Sequence, residues 1–480
     1  MPPPSLVRVN AVAISSPYSP SEPPRTEGPG PRPPQPPPEK WWRRRAVHAG
    51  GLIAVLAVAG LVILALVREE TGTEGFLVGL GLAVVPVPLL IAAFRWLDRV
   101  TPGPWRNVVF CFAWGACAAT LIAIVTNSLA TNWIATSTAD EAGADALGAT
   151  VVAPVVEEAG KSVAILLIFL FRRRDFTGIV DGVVIAGVTA TGFAFTENIL
   201  YLGRAYGMDT DGTFDSGFGG GLDGTGLLTM TAATFFVRIV MSPFAHPLFT
   251  VLTGIGFGIA ALSADRQRAR RVLLPLAGLL LSMGMHALWN GSAVFGGIWF
   301  FAVYAGFMVP VFGLVTWLAI WTRQRALRTV REELPAYVAA GWLAPLEPWA
   351  LSSLRARRMA RVYATRTLGR DAARAVAEYQ VHATSLALLR QRGRRGRAGA
   401  DFVVRERELL DALWLRRDAA RPALTHAAQV TAPAIPAPRY GYGYGYGYGH
   451  PYGQEYGYGQ EYGHAHGPAG QSPAYHPYRH

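Results

Sequence analysis

Residues 147–171 read LGATVVAPVVEEAGKSVAILLIFLF. At 1.5 Å per residue, a helix of this length crosses about 30 Å of hydrocarbon. Its middle nevertheless carries Glu157, Glu158 and Lys161, side chains so costly in hydrocarbon that they face a cavity or a partner. An apolar segment with a charged centre predicts a helix packed among other membrane helices.

The neighbouring sequence supplies those helices. Residues 48–67, 75–94, 108–125, 179–202, 243–262, 272–289 and 298–321 are each apolar and long enough to cross, or nearly cross, the hydrocarbon. With 147–171 they predict an all-α polytopic membrane protein of about eight transmembrane helices. A further apolar stretch, 227–241, is short and carries Arg238.

Charge orders these segments, because short cytoplasmic loops accumulate Lys and Arg. Lys40 and Arg43–Arg45 precede the first span, and Arg95, Arg99 and Arg106 follow the second. Arg172–Arg174 follow the fourth, while Arg266, Arg268, Arg270 and Arg271 follow the sixth. The intervening loops are acidic: Glu69, Glu70 and Glu74, then Asp140, Glu141 and Asp145, then Asp209, Asp211, Asp215 and Asp223. An independent crossing by 227–241 would put the basic turn after Leu262 outside. That stretch is therefore expected to be re-entrant or interfacial, with both chain ends cytoplasmic.

Four regions follow: a disordered Pro-rich cytoplasmic leader over 1–47, a transmembrane domain over 48–321, an Ala- and Arg-rich cytoplasmic helical region over 322–430, and a low-complexity Gly/Tyr/His tail over 431–480. The leader is too long and Pro-rich for a cleaved signal peptide, making 48–67 a signal anchor. In the tail, His450, His464 and His466 sit among alternating Gly and Tyr that build no core; metal capture there is the weaker reading. The net charge of +12 is explained by Arg at membrane edges, where anionic lipids are the expected partners. No nucleic-acid module accompanies it, so no nucleic acid is expected. Cys111 and Cys117 lie inside the third span on different helix faces, which argues against a disulfide or a metal pair.

The polar residues within the spans converge. Lys161 follows Glu157 by one helical turn, and Pro154 precedes the pair by one. Adjacent carboxylates in low dielectric suit general acid–base work, although an ion pair that locks bundle packing uses the same residues. Phe193 and Glu197 share a helix face in the fifth span, beside Asn198, whereas Asp181 sits near the water interface as an ordinary charge. Only two of the ten His lie well within spans: His246 in the sixth and His286 in the seventh, with Asn290 one turn after His286. Charge alternation puts Glu157, Glu197, His246, His286 and Asn290 at depths where all line one cavity open to the non-cytoplasmic side.

These residues resemble the four motifs of the PrsW family of intramembrane proteases, related more distantly to the CAAX prenyl endopeptidases: Glu157-Glu158 with Lys161, Phe193 with Glu197-Asn198, His246, and His286 with Asn290. The likeness covers about 147–290. It implies a bacterial cell-membrane protease that begins regulated intramembrane proteolysis by cutting a membrane-anchored protein substrate, typically an anti-sigma factor, outside the membrane. It also implies catalytic roles for Glu157, Glu158 and His246, an active-site acid in Glu197, and polar support from His286 and Asn290. The prenyl-protease relatives commonly carry His where this chain has Glu197, so their mechanism does not transfer whole.

Two hydrolytic mechanisms are open. Glu157 or Glu158 deprotonates a water held by His246 while His286 and Asn290 donate to the oxyanion; or His246, His286 and Glu197 hold Zn2+ and another Glu acts as base. No HExxH pattern decides between them. A proton-coupled transporter is the rival, since buried Glu, Lys and His also suit proton relays, but the two halves show no repeat. Oligomeric state is left open.

Overall fold

The computed structural model describes residues 45–210, 229–263, 267–396 and 401–431, and every regular element among them is helical. The leader up to residue 44, Asp211, Asp215, Asp223, Arg266 and the tail beyond Thr431, which includes His450, His464 and His466, lie outside the described residues.

Helix α1 (Arg45–Val84) contains Gly72 at φ 69° and ψ 170°, a conformation that glycine alone adopts without strain, so the helix direction breaks between the first two expected spans. Helix α2 (Pro86–Leu97) starts on Pro86, whose missing N–H costs nothing in a first turn. Helices α3 (Trp105–Ala113) and α4 (Thr120–Thr138) join through a π-helical turn, Trp114–Ala119. Helices α5 (Glu141–Leu147) and α6 (Ala153–Phe171) join through another, Gly148–Val152. The Asp140 carboxylate caps α5 by accepting the Gly143 N–H at 2.9 Å.

Helix α7 (Ile179–Thr210) follows, then α8 (Met230–Phe235), which runs into a π turn, Phe236–Met241. A break at residues 242–244 separates it from α9 (Ala245–Ala261). Helices α10 (Arg268–Phe295), α11 (Gly297–Val303) and α12 (Val309–Glu333) complete the apolar part, the last two joined by a π turn at Tyr304–Met308.

Six helical stretches among the described residues are long and apolar enough to cross a membrane: Val47–Leu97, Trp105–Thr138, Ile179–Thr210, Met230–Ala261, Arg268–Phe295 and Gly297–Ala339. The first contains two of the expected spans on either side of Gly72. Helix α6 is not among the six; Glu157, Glu158 and Lys161 set it apart from an apolar helix. The fourth stretch holds most of the expected 227–241 segment end to end with the sixth expected span.

Burial shows which helix organises the bundle. Inside the protein lies 83% of the most apolar window of α7, against 17% for the first stretch and 11% for the last. Helix α7 is thus the hub, and the outer helices leave apolar surface for lipid. Its neighbours approach at backbone distance: a Cβ on Gly182 would lie 2.0 Å from the Gly254 carbonyl oxygen of α9, and one on Gly115 would lie 1.9 Å from the Thr189 carbonyl oxygen. Lipid is as apolar as the side chains, so close packing of small residues takes over from the hydrophobic effect in holding such helices together.

Helix α12 continues past residue 322 into a second cluster of helices, α13 (Pro335–Ala339), α14 (Glu347–Leu351), α15 (Leu354–Thr367), α16 (Arg370–Arg394), α17 (Phe402–Trp414) and α18 (Arg417–Thr431). These bury their own core, including Leu334, Leu351, Tyr379, Leu386 and Leu424. Arg357 ties them to the membrane part by donating to Val100 O at 3.0 Å, and within the cluster it donates to Leu351 O at 2.6 Å and bonds Thr384. Burial pulls its guanidinium down to about 9, with Arg361 adding to the effect.

Candidate active site

Helix α6 presents Glu157, Glu158 and Lys161 to the interior, and Glu158 and Lys161 are fully buried. An isolated buried charge is prohibitive, so each needs partners. The Lys161 Nζ lies 2.8 Å from Glu158 Oε1, 3.3 Å from Glu157 Oε2 and 3.2 Å from His246 Nδ1, and 3.8 Å above the centre of the Phe193 ring. Sequence spacing sets Lys161 one helical turn after Glu157. The ammonium bridges both carboxylates, because the i,i+3 and i,i+4 positions flank it on one face.

Glu158 is saturated. Its Oε1 also faces His286 Nδ1 at 3.2 Å, while its Oε2 accepts from Thr250 Oγ1 at 2.8 Å and Ser282 Oγ at 2.6 Å. Neither hydroxyl was singled out from sequence. A signal existed: Thr250 follows His246 by four residues and Ser282 precedes His286 by four, so each shares its histidine's helix face.

His246 stands in the first turn of α9, just beyond the break that follows the π turn. Its Nε2 lies 2.6 Å from Glu197 Oε2, leaving Nδ1 toward Lys161. Glu197 also bonds Arg238, whose Nε donates to Asn198 Oδ1 at 2.8 Å and whose guanidinium lies 3.8 Å over the Tyr201 ring. The short segment before the sixth span therefore supplies a site residue, Arg238. In the sequence its charge argues only against an independent crossing by this segment. The Phe193 ring lies 5.6 Å from His246, and the His246 and His286 rings meet edge to face at 5.2 Å. His286 also stacks on Phe249 at 4.7 Å.

Glu157 is the carboxylate that clusters with both imidazoles. One ligand atom from each of Glu157, His246 and His286 falls within 4.8 Å of the others. Two imidazole nitrogens and one carboxylate oxygen form a donor set that catalytic zinc accepts, so these residues fit a metal by chemistry. The expected set contained Glu197 in place of Glu157. Glu197 lies against His246 Nε2, on the side away from Lys161, and is engaged by Arg238.

Asn290 donates through Nδ2 to Ala149 O at 2.9 Å and braces α10 against the π turn before α6. It also lines a cavity of about 350 Å³ together with Tyr201, Arg238, Pro243, His246 and Trp289. Asp181 takes no part in the cluster; its Oδ2 accepts the Thr177 and Gly178 N–H groups at the opposite end of α7.

A polytopic helical membrane protein with a buried carboxylate–imidazole centre beside a cavity is the class that fold and site define. Residues 103–315 match the family described as PrsW family intramembrane metalloprotease. Among curated proteins the chain is similar to Protease PrsW of Clostridioides difficile (strain 630), with 29% identity over 121 residues, covering 25% of this chain and 49% of that protein. The match thus spans about half the length of that relative. No solved structure matches the chain.

Proposed function

We propose that this protein is an intramembrane endopeptidase that cuts a membrane-anchored protein near the non-cytoplasmic face, with Zn2+ as cofactor and an anti-sigma factor as a fitting substrate. The observation that carries this reading is the meeting of Glu157, His246 and His286 from three helices inside an apolar bundle, next to a cavity that reaches His246. The family match over residues 103–315 supports it.

In this reading Glu157, His246 and His286 hold the zinc, which supplies Lewis-acid polarisation and an activated water when bound. The chain's own groups do the rest. Glu158, pinned by Lys161, Thr250 and Ser282, fixes the His286 ring through Nδ1. Glu197 and Arg238 fix His246 from the far side. The 350 Å³ cavity admits a peptide segment to His246, and its wall carries Arg238 and Asn290 as polar contacts for the substrate backbone.

One observation favours a metal-free variant of the same hydrolysis. The Lys161 ammonium already stands within 3.3 Å of both Glu157 and His246, supplying a fixed cation there. Glu157, which lacks the two hydroxyl donors that saturate Glu158, then takes the proton from water.

The topology that accompanies this function is the eight-span arrangement, with 227–241 re-entrant or interfacial, both chain ends cytoplasmic, and regions 1–47, 48–321, 322–430 and 431–480 as separate parts. Reconstitution of the full-length protein with single-span proteins bearing short external domains, followed by mass-spectrometric mapping, tests the activity. Glu157→Gln and His246→Ala at matched folded amount are expected to lower turnover ~100-fold or more, the effect of losing a general acid or base, while Asp181→Asn does much less. Loss of cleavage on chelation and its return with zinc supports the metal mechanism; cleavage indifferent to chelator supports the Lys161 variant. Folded Glu157→Gln and His246→Ala proteins that cut at the parental rate would overturn the assignment. Proton-dependent solute flux requiring Glu157, without any cleavage, would put a transporter in its place.

A further inference from the structure

The strongest unassigned feature lies at the opposite end of the bundle from the cavity at His246. There the chain leaves α6 and α9 and enters α10, and the ends of α16 and α17 pack against the same place. A cavity of about 190 Å³ at this junction is lined by Arg173, Ser263, Arg271, Arg392, Asp401 and Arg405 over the apolar floor of Phe169 and Phe176.

Among its described lining residues four are guanidiniums and the sole acid is Asp401, which pairs with Arg405 at 2.6 Å. Arg173 has no ion pair among the described residues and rests 6.0 Å over the Phe169 ring. Arg392 donates to Thr177 O at 2.6 Å, a neutral partner. Burial pulls the Arg392 guanidinium down; Asp181 opposes this, and the charge of Arg405 adds to it. So many cations converging on one concavity leave positive potential that an anion with several acceptor oxygens would relieve, and planar guanidiniums match phosphate in this way.

The surroundings name the source of the phosphate. The cavity sits at the ends of membrane helices, hence at the level of lipid headgroups. A second cavity of about 400 Å³ shares Leu262 and Arg392 with it and has a largely apolar wall including Ile179, Val180, Trp321 and Leu388. A polar basin that opens beside an apolar one is complementary to an amphipathic molecule rather than to a free ion.

We propose that the Arg173–Arg271–Arg392–Arg405 cavity binds the phosphate of an anionic phospholipid, whose glycerol and acyl portion extends toward the neighbouring apolar cavity. The lipid then bridges the membrane helices to α16 and α17, so the pose of the C-terminal helices depends on the composition of that leaflet. This site stands independently of the proteolytic reading.

The test uses the full-length protein in nanodiscs of phosphatidylcholine with or without phosphatidylglycerol, read by native mass spectrometry of retained lipid and by the thermal midpoint. A separate arm titrates inorganic phosphate. Phosphatidylglycerol is expected to be retained and to raise the midpoint, phosphatidylcholine and inorganic phosphate to do neither. Arg173→Gln combined with Arg405→Gln should lower retention ~10-fold or more, in line with the contribution of each cation near an anionic surface. Arg173→Lys with Arg405→Lys should keep most of it, and Arg374→Gln, on the exposed face of α16, should change nothing. Equal retention of phosphatidylglycerol by the Gln double variant overturns the site. Equal retention of phosphatidylcholine overturns the anionic preference, and stabilisation by inorganic phosphate alone overturns the lipid assignment.

Discussion

Glu158 shows how a single residue is held where charge is least tolerated. Four donors on two oxygens replace its water shell: Lys161, His286, Thr250 and Ser282. Charge-assisted bonds of this kind each contribute about 1.5–3 kcal/mol. Ser282→Ala is therefore expected to lower the thermal midpoint in detergent, with Ser282→Thr recovering part of the loss. An unchanged midpoint in Ser282→Ala would show that the hydroxyl does not hold the carboxylate. Asp98, just past the end of α2, responds to pH instead. Burial, reinforced by the charge of Asp181, outweighs the Gly103 N–H and Arg95 and pushes its carboxyl up to about 8. Between about 4, the ordinary value, and that raised value, the folded chain keeps a proton the unfolded chain has lost. The stability it contributes is thus complete below about 4 and is lost as pH rises through the raised value. The midpoint should fall between pH ~5 and ~8.5, and Asp98→Asn should flatten that fall; an equally steep fall in the variant would refute the assignment.

Among elements, α7 carries the bundle because its small residues let neighbours approach at backbone distance. Gly182 and Gly254 face each other so closely that a Cβ on either would strike the other's carbonyl oxygen, at 2.0 and 2.2 Å. Overpacking of this kind costs about 1–3 kcal/mol or more, and here the obstacle is backbone, which cannot rotate away. Gly182→Leu is expected to abolish a monodisperse folded peak on size-exclusion chromatography. Gly81→Leu, where nothing stands within 4 Å, serves as the control and should leave the peak intact. A folded, stable Gly182→Leu protein would mean that α7 and α9 do not pack in this register. The π turns Gly148–Val152 and Phe236–Met241 also belong to this scale, since they precede the two helices that carry Glu157 and His246. Such bulges frequently occur at functional sites because one extra residue per turn re-aims the side chains that follow.

For the whole molecule, the alternation of basic and acidic loops predicts an orientation with both chain ends cytoplasmic. Single cysteines at Gly143 and Arg268, in a background with Cys111 and Cys117 replaced by Ser, probe it. In intact cells an impermeant thiol reagent should label position 143 at once and position 268 only after the membrane is opened. External labelling of position 268 would reject the eight-span arrangement and with it the proposed side of cleavage.

From the sequence alone, the helical membrane class was legible, since segment length and apolarity depend only on local composition and the thickness of hydrocarbon. So were the motifs of the site, because a buried Glu, Lys or His stands out against an apolar background. Spacing along one helix also made Lys161 a partner of the acidic pair. Distances between helices are a different kind of quantity, set by packing, and only the tertiary structure decided them. It brought Glu157 rather than Glu197 into the cluster with His246 and His286, and it turned Asn290 onto Ala149 O. It also drew Arg238 from an ambiguous segment onto Glu197 and Asn198. Each depends on the rotation of one helix against another, and helix periodicity carries no information about a partner far away in the chain.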